Sequence, residues 1–145
     1  MANVEDPVIM EAVDDVVSDA TETTWVILGY EGPKSNTVLV QQKGEGDAIE
    51  AIKEHLKEDE CQYCYLRVTA GDEESIRTKF IFLTWVGGKV SAIKRAKISV
   101  HKADVKKVIR YYSIEIHATD LDDIDKEQIM EAITKAGGAN YSFNS

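Results

Sequence analysis

The chain has 145 residues, 43% of them hydrophobic and 30% charged, with a formal net charge of −9. That length suits one domain with a single core that needs neither disulfides nor metal. No apolar run approaches the roughly 20 residues that cross a bilayer, and the acidic balance argues against general nucleic-acid binding.

The first ten residues, MANVEDPVIM, have neither the basic-then-apolar order of a secretory signal nor the cationic character of a transit peptide. Neither end carries a lipidation motif, so a cytoplasmic protein without membrane attachment is expected. Pro7 stands at a first helical turn, and Val8, Ile9, Ala12, Val13, Val16 and Val17 follow at helical spacing. They predict an amphipathic helix over Pro7 to Asp19 that covers a core. Two β-rich runs, Trp25 to Tyr30 and Thr37 to Gln42, flank the turn-rich Glu31-Gly32-Pro33-Lys34-Ser35-Asn36 and predict a hairpin. Asp47 is suited to cap a helix carrying Ala48, Ile49, Ala51, Ile52 and Leu56.

From Gln62 to Thr69, Cys64, Leu66 and Val68 alternate with Tyr63, Tyr65 and Arg67, the period of a strand. Ala70 to Ser75 reads as a polar loop that returns the chain antiparallel into Thr78 to Val86. Within that return, Phe80-Ile81-Phe82-Leu83-Thr84-Trp85-Val86 is dominated by aromatic and aliphatic side chains and closed by Gly87-Gly88, so it predicts a strand buried on both faces, the middle of the fold. In the basic segment that follows, Ile93, Ala96 and Val100 share one helical stripe, while Val105, Val108, Ile109 and Tyr112 fall on another at about 100 degrees per residue. A break or kink near Ser99 is therefore expected. Ser113 to Thr119 predicts a last strand, and Asp122 to Ala136 a last helix stopped by Gly137-Gly138. Helices falling between strand pairs indicate an α/β mixed sheet covered on both faces. One domain over 1–145 is expected, with an ordered core over about 6–137 and a short tail over 138–145.

Charge is unevenly placed along this order. Lys89 to Arg110 holds eight cations (Lys89, Lys94, Arg95, Lys97, Lys102, Lys106, Lys107, Arg110) against one acid, Asp104, a net +7 that leaves −16 on the rest. Arg77 and Lys79 add cations just before the central strand. Such a molecule presents one basic face to an acidic partner and repels it elsewhere.

Catalysis finds no candidate constellation. Cys61-Gln62-Tyr63-Cys64 has C-x-x-C form, but it leads into a strand rather than a helix, and Glu58, Asp59 and Glu60 beside it disfavour a thiolate. Zinc needs about four ligands, and only His55, Cys61 and Cys64 lie near one another in the chain. His55, His101 and His117 are scattered and read as surface or packing residues, and no phosphate or dinucleotide loop accompanies the glycine pairs. Asp120, Asp122, Asp123 and Asp125 lack the glycine and terminal glutamate of a calcium loop in register and fit an acid-rich helix start. No cofactor is expected, and a binding module is the favoured class.

Arg77-Thr78-Lys79-Phe80 leading into Leu83-Thr84-Trp85-Val86-Gly87, then Val90-Ser91, Arg95-Ala96-Lys97, Val105-Lys106 and the ending Lys135-Ala136-Gly137-Gly138-Ala139-Asn140-Tyr141 resemble the actin-depolymerising-factor homology superfamily, and within it the coactosin family. The resemblance covers nearly the whole chain in order. It implies a five- or six-stranded mixed sheet between helices, and a monomer that binds the side of filamentous actin, an acidic polymer, without catalysis. It carries the filament-binding lysine onto Lys79, with Arg77 beside it on the same strand face, and lays the helix of Lys94, Arg95, Lys97, Lys102 and Lys106 against actin. Cofilin-type relatives carry a lysine where this chain has Ala96, and a regulatory serine near the N-terminus, where Met1-Ala2-Asn3-Val4 stands. Severing is therefore not expected. The competing readings are a cofilin-like depolymerising factor on the same fold and a thiol-redox protein using Cys61 and Cys64.

Overall fold

A computed structural model of the chain describes residues 1–72, 75–136 and 141–143, with side chains at 72, 75 and 141–143 left aside. Its elements are α1 (Pro7–Val17), β1 (Trp25–Tyr30), β2 (Val38–Gly44), α2 (Ala48–Ile52), β3 (Cys61–Asp72), β4 (Ser75–Val86), α3 (Ala92–Val105), β5 (Ile114–Ala118), a 3-10 turn (Leu121–Asp123), α4 (Lys126–Ala136) and β6 (Tyr141–Phe143). The six strands form one sheet in the order β2-β1-β3-β4-β5-β6. Neighbours from β2 to β4 are antiparallel, whereas β5 and β6 join parallel to their inner neighbours. The parallel pairs need crossovers, and α3 and α4 supply them.

Local chemistry explains the starts. The Asp6 carboxylate accepts the Val8 N–H at 3.0 Å just before Pro7, Asp47 receives the Glu50 N–H at 3.5 Å, and Ser91 Oγ accepts the Lys94 N–H at 3.3 Å. Alternation along the central strands then sorts two cores. Ile9, Val13 and Val16 of α1 and Ile98 and Val105 of α3 pack against Tyr63, Tyr65 and Phe82 on one face. Ile49 and Ile52 of α2 and Ile129 and Ile133 of α4 pack against Cys64, Leu66, Ile81 and Leu83 on the other. β4 is thus buried on both faces, as its composition predicts.

Three expectations need correction. The helix of the basic segment is one unbroken run of 14 residues, without a break near Ser99. Its core stripe is Ile98, His101 and Val105, continued by Ile109 in the following turn, while Ile93 and Val100 stand outward at 74% and 56% exposure. Apolar side chains on the solvent side were counted as core, and that produced the apparent change of stripe. The chain also adds a sixth strand within the stretch read as a tail. Finally, the loop expected over 70–75 is shorter than that, because β3 runs to Asp72 and β4 begins at Ser75. Glu73 and Glu74, and the Gly137-Gly138 stop, lie outside the described residues.

Candidate functional site

The cations singled out in the sequence fall into two groups. Arg77 and Lys79 pair with Ala70 and Val68 across the β3–β4 ladder, so they share the face of Ile81 and Leu83 at the starting end of β4. Lys94, Arg95 and Lys97 lie in the first turns of α3, which packs on the opposite face and follows the far end of β4. Seven residues separate Lys79 from Val86, about 23 Å of strand. The fold therefore holds two basic clusters apart, at opposite ends and on opposite faces of its central strand.

Nor does the segment from Lys89 to Arg110 present one uniform basic face, because acids and carbonyls from other elements claim part of it. Glu115 on β5 takes both Lys102, at 3.3 Å, and Lys106, at 2.8 Å, within a half-buried site where its side chain is 15% exposed. Burial draws the Lys106 ammonium down, but the Glu115 carboxylate outweighs it and holds the group above its ordinary value. Lys89 pairs with Glu58 at 3.2 Å and Lys107 with Asp104 at 3.3 Å. The Arg95 guanidinium donates to the carbonyls of Val90, Gly87 and Gly88, closing the turn between β4 and α3. Among the described residues, Arg77, Lys79, Lys94 and Lys97 enter no ion pair.

A cavity of about 240 Å³ opens between the first turns of α3 and the β1–β2 turn, with Lys34, Lys94 and Lys97 on its walls. Lys94 Nζ lies over the Tyr30 ring, 5.5 Å from its centre. Tyr30 Oη is 2.8 Å from Tyr63 Oη and 2.7 Å from His101 Nδ1. Burial pushes the Tyr30 phenol up to about 12, and burial likewise lowers His101, so this chain of groups is neutral near pH 7. Sequence reading passed over Lys34 and Tyr30 as turn and strand residues. No local signal marks them, because their neighbours in the cavity come from α3, about 60 positions onward.

The remaining chemistry is accounted for by packing. Cys61 and Cys64 are buried free thiols, and burial pushes both up, the reverse of an activated thiolate. His55 stacks on Trp25 with ring centres 5.1 Å apart. The acids after β5 cap helical starts: Asp123 accepts the Thr119 and Asp120 N–H groups, Asp120 that of Asp122, and Asp125 that of Gln128. Among the described residues no cluster of three or more potential metal ligands occurs.

A family model described as cofilin/tropomyosin-type actin-binding protein matches residues 1–134. The chain is 40% identical over 144 residues to the coactosin of Dictyostelium discoideum, covering 99% of this chain and 97% of that one. A crystal structure of coactosin from Entamoeba histolytica superposes with a TM-score of 0.86 at 37% identity, covering 95% of this chain and 98% of that one. The solution structure of mouse coactosin, described as an actin filament binding protein, aligns with a TM-score of 0.75 at 28% identity over 95% of this chain and 94% of that one.

Proposed function

Because the chain belongs to the cofilin/tropomyosin-type actin-binding family, whose model spans residues 1–134, we propose that it binds along the side of filamentous actin and regulates the actin cytoskeleton without strong severing. It acts in the cytoplasm as a non-enzymatic monomer, with neither nucleic acid nor membrane as partner. The observation that carries the reading is that, of the cations singled out in the sequence, Arg77, Lys79, Lys94 and Lys97 have neither an ion pair nor a carbonyl partner among the described residues. These cations give up no ion pair on meeting an acidic partner, whereas Lys102 and Lys106 must first give up Glu115. Two clusters some 20 Å apart suit a polymer that offers repeated acidic surfaces better than a small ligand. In this reading Lys79, Arg77, Lys94 and Lys97 touch actin, Arg95 shapes the turn that presents them, and Lys102 and Lys106 support the helix.

Co-sedimentation with filamentous actin tests it. The wild-type chain is expected in the pellet, with binding that weakens as salt rises from 50 to 200 mM, because exposed charge contacts are screened over about 10 Å. Lys79→Ala should lower the affinity about tenfold, the effect of losing roughly 1.4 kcal/mol of contact. A pelleted fraction indifferent to both salt and Lys79→Ala would reject the site. Observation of single filaments separates the side binder from a cofilin-like depolymerising factor, which would shorten them and leave more actin in the supernatant.

A further inference from the structure

The cavity between the β1–β2 turn and α3 has the properties of a carboxylate receptor. Lys34, Lys94 and Lys97 line it, no acidic side chain does, and none of the three lysines forms an ion pair among the described residues. Three ammonium groups without ion pairs around one concavity, in a chain of net charge −9, favour an anion there, although Lys94 also borders the adjoining cavity that holds Glu31, Asp59 and Glu60.

The floor adds a directed donor. His101 is 4% exposed and lines the cavity, and its Nδ1 is held by Tyr30 Oη at 2.7 Å. Tyr63 is buried and its hydroxyl has Tyr30 as hydrogen-bond partner, so the direction that satisfies both hydroxyls has Tyr63 O–H donating to Tyr30 Oη and Tyr30 O–H donating to His101 Nδ1. With Nδ1 accepting, the neutral imidazole carries its proton on Nε2. No second hydrogen-bond partner of the ring is present among the described residues, so the Nε2 proton is left for a ligand of the cavity that His101 lines. A buried histidine whose tautomer is set by two tyrosines, in the lining of a cavity with three lysines on its walls, suits an anion. The volume of about 240 Å³ is ample for one acidic side chain.

We propose that this cavity receives an Asp or Glu side chain of filamentous actin, with Lys34, Lys94 and Lys97 compensating its charge and His101 Nε2 donating to it. The inference rests on the actin reading above and extends the contact surface to the β1–β2 turn, whose Lys34 neither the charge pattern nor the resemblance marks. Lys34 is exposed and makes no structural contact that its replacement would remove, so its variants should fold.

Co-sedimentation with filamentous actin is run for the full chain as wild type, Lys34→Ala, Lys34→Glu, and Lys53→Ala as a control cation that is paired locally with Glu50. Lys34→Ala should weaken binding about threefold and Lys34→Glu tenfold or more, with Lys53→Ala unchanged. Zero-length carbodiimide coupling of the wild-type complex, read by mass spectrometry, should join Lys34 to an actin Asp or Glu. Wild-type affinity in Lys34→Glu, or coupling at Lys79 with none at Lys34, overturns the receptor and leaves actin binding standing. Failure of the wild-type chain to co-sediment removes both together.

Discussion

Lys106 Nζ lies 2.8 Å from Glu115 Oε1, and Lys102 reaches the other oxygen of the same carboxylate at 3.3 Å. One acid on β5 thereby anchors the last two turns of α3 to the sheet and withdraws two cations from the surface. The cations of α3 and its C-cap thus divide into those held by Glu115 and those left without an ion pair among the described residues, and under the proposed function this division separates stability from binding.

Lys102→Ala removes a charge-assisted contact in a half-buried setting, where the lysine side chain is 20% exposed, and should cost about 1.5 kcal/mol in urea unfolding. Lys97→Ala, an exposed change, should stay within about 0.5 kcal/mol of wild type. Actin affinity should follow the opposite order. Equal stability losses in the two variants would contradict the division.

Acidification should destabilise the chain from about pH 6.5 downward. Burial holds the His101 imidazole below its ordinary value of 6.5, with the N-terminal ammonium and Lys97 acting in the same sense and Asp104 opposing them. His117 is lowered as well, by burial and by Lys102. The unfolded chain therefore takes up these protons first, and stability present above 6.5 is lost as pH falls through the folded-state values. The urea midpoint should drop between pH 7.5 and 5.5, and drop less in His101→Asn. An identical drop in both proteins would remove His101 from the account.

Thr84 sits near the end of the central strand with its hydroxyl buried and without a hydrogen-bond partner among the described residues. A buried donor left unpaired is a penalty that an apolar group of the same shape does not carry. Thr84→Val should raise stability by about 1 kcal/mol. A loss of stability by chemical unfolding would show that the hydroxyl is satisfied by a bound water.

Gly87 ends β4, and its φ is not in the left-handed region. The requirement for glycine is space: a Cβ there would lie 2.1 Å from the Glu58 carbonyl oxygen and 2.6 Å from that of Lys57. Both obstacles are main chain, in the loop before β3 that also accepts the Trp85 indole N–H at Lys57. Gly87→Ala should cost about 2–3 kcal/mol, as overpacking does in well-filled cores. A wild-type unfolding midpoint would show that this loop moves away freely.

Much of the architecture is legible in local pattern. The two-residue alternation in β3 separates Tyr63 and Tyr65 from Cys64 and Leu66, and the structure sends those pairs to opposite cores. Pro7, Asp47 and the acids after β5 announce helical starts because their capping bonds span only two or three residues. The outward stripe of α3 is not legible in the same way, because Ile93, Ala96 and Val100 have core composition, and composition alone does not tell an exposed face from a buried one.

Local spacing is enough for the order of the elements from α1 to α4, the burial of β4 on both faces and the richness of α3 in cations, because each depends on side chains a few positions apart. Tertiary structure alone decided which cations are available. Glu115 neutralises Lys102 and Lys106 from β5, and Lys34 meets Lys94, Lys97 and His101 across a cavity. Charge pairing and cavity lining are contacts in space between residues remote in the chain, so the spacing within any one segment does not encode them.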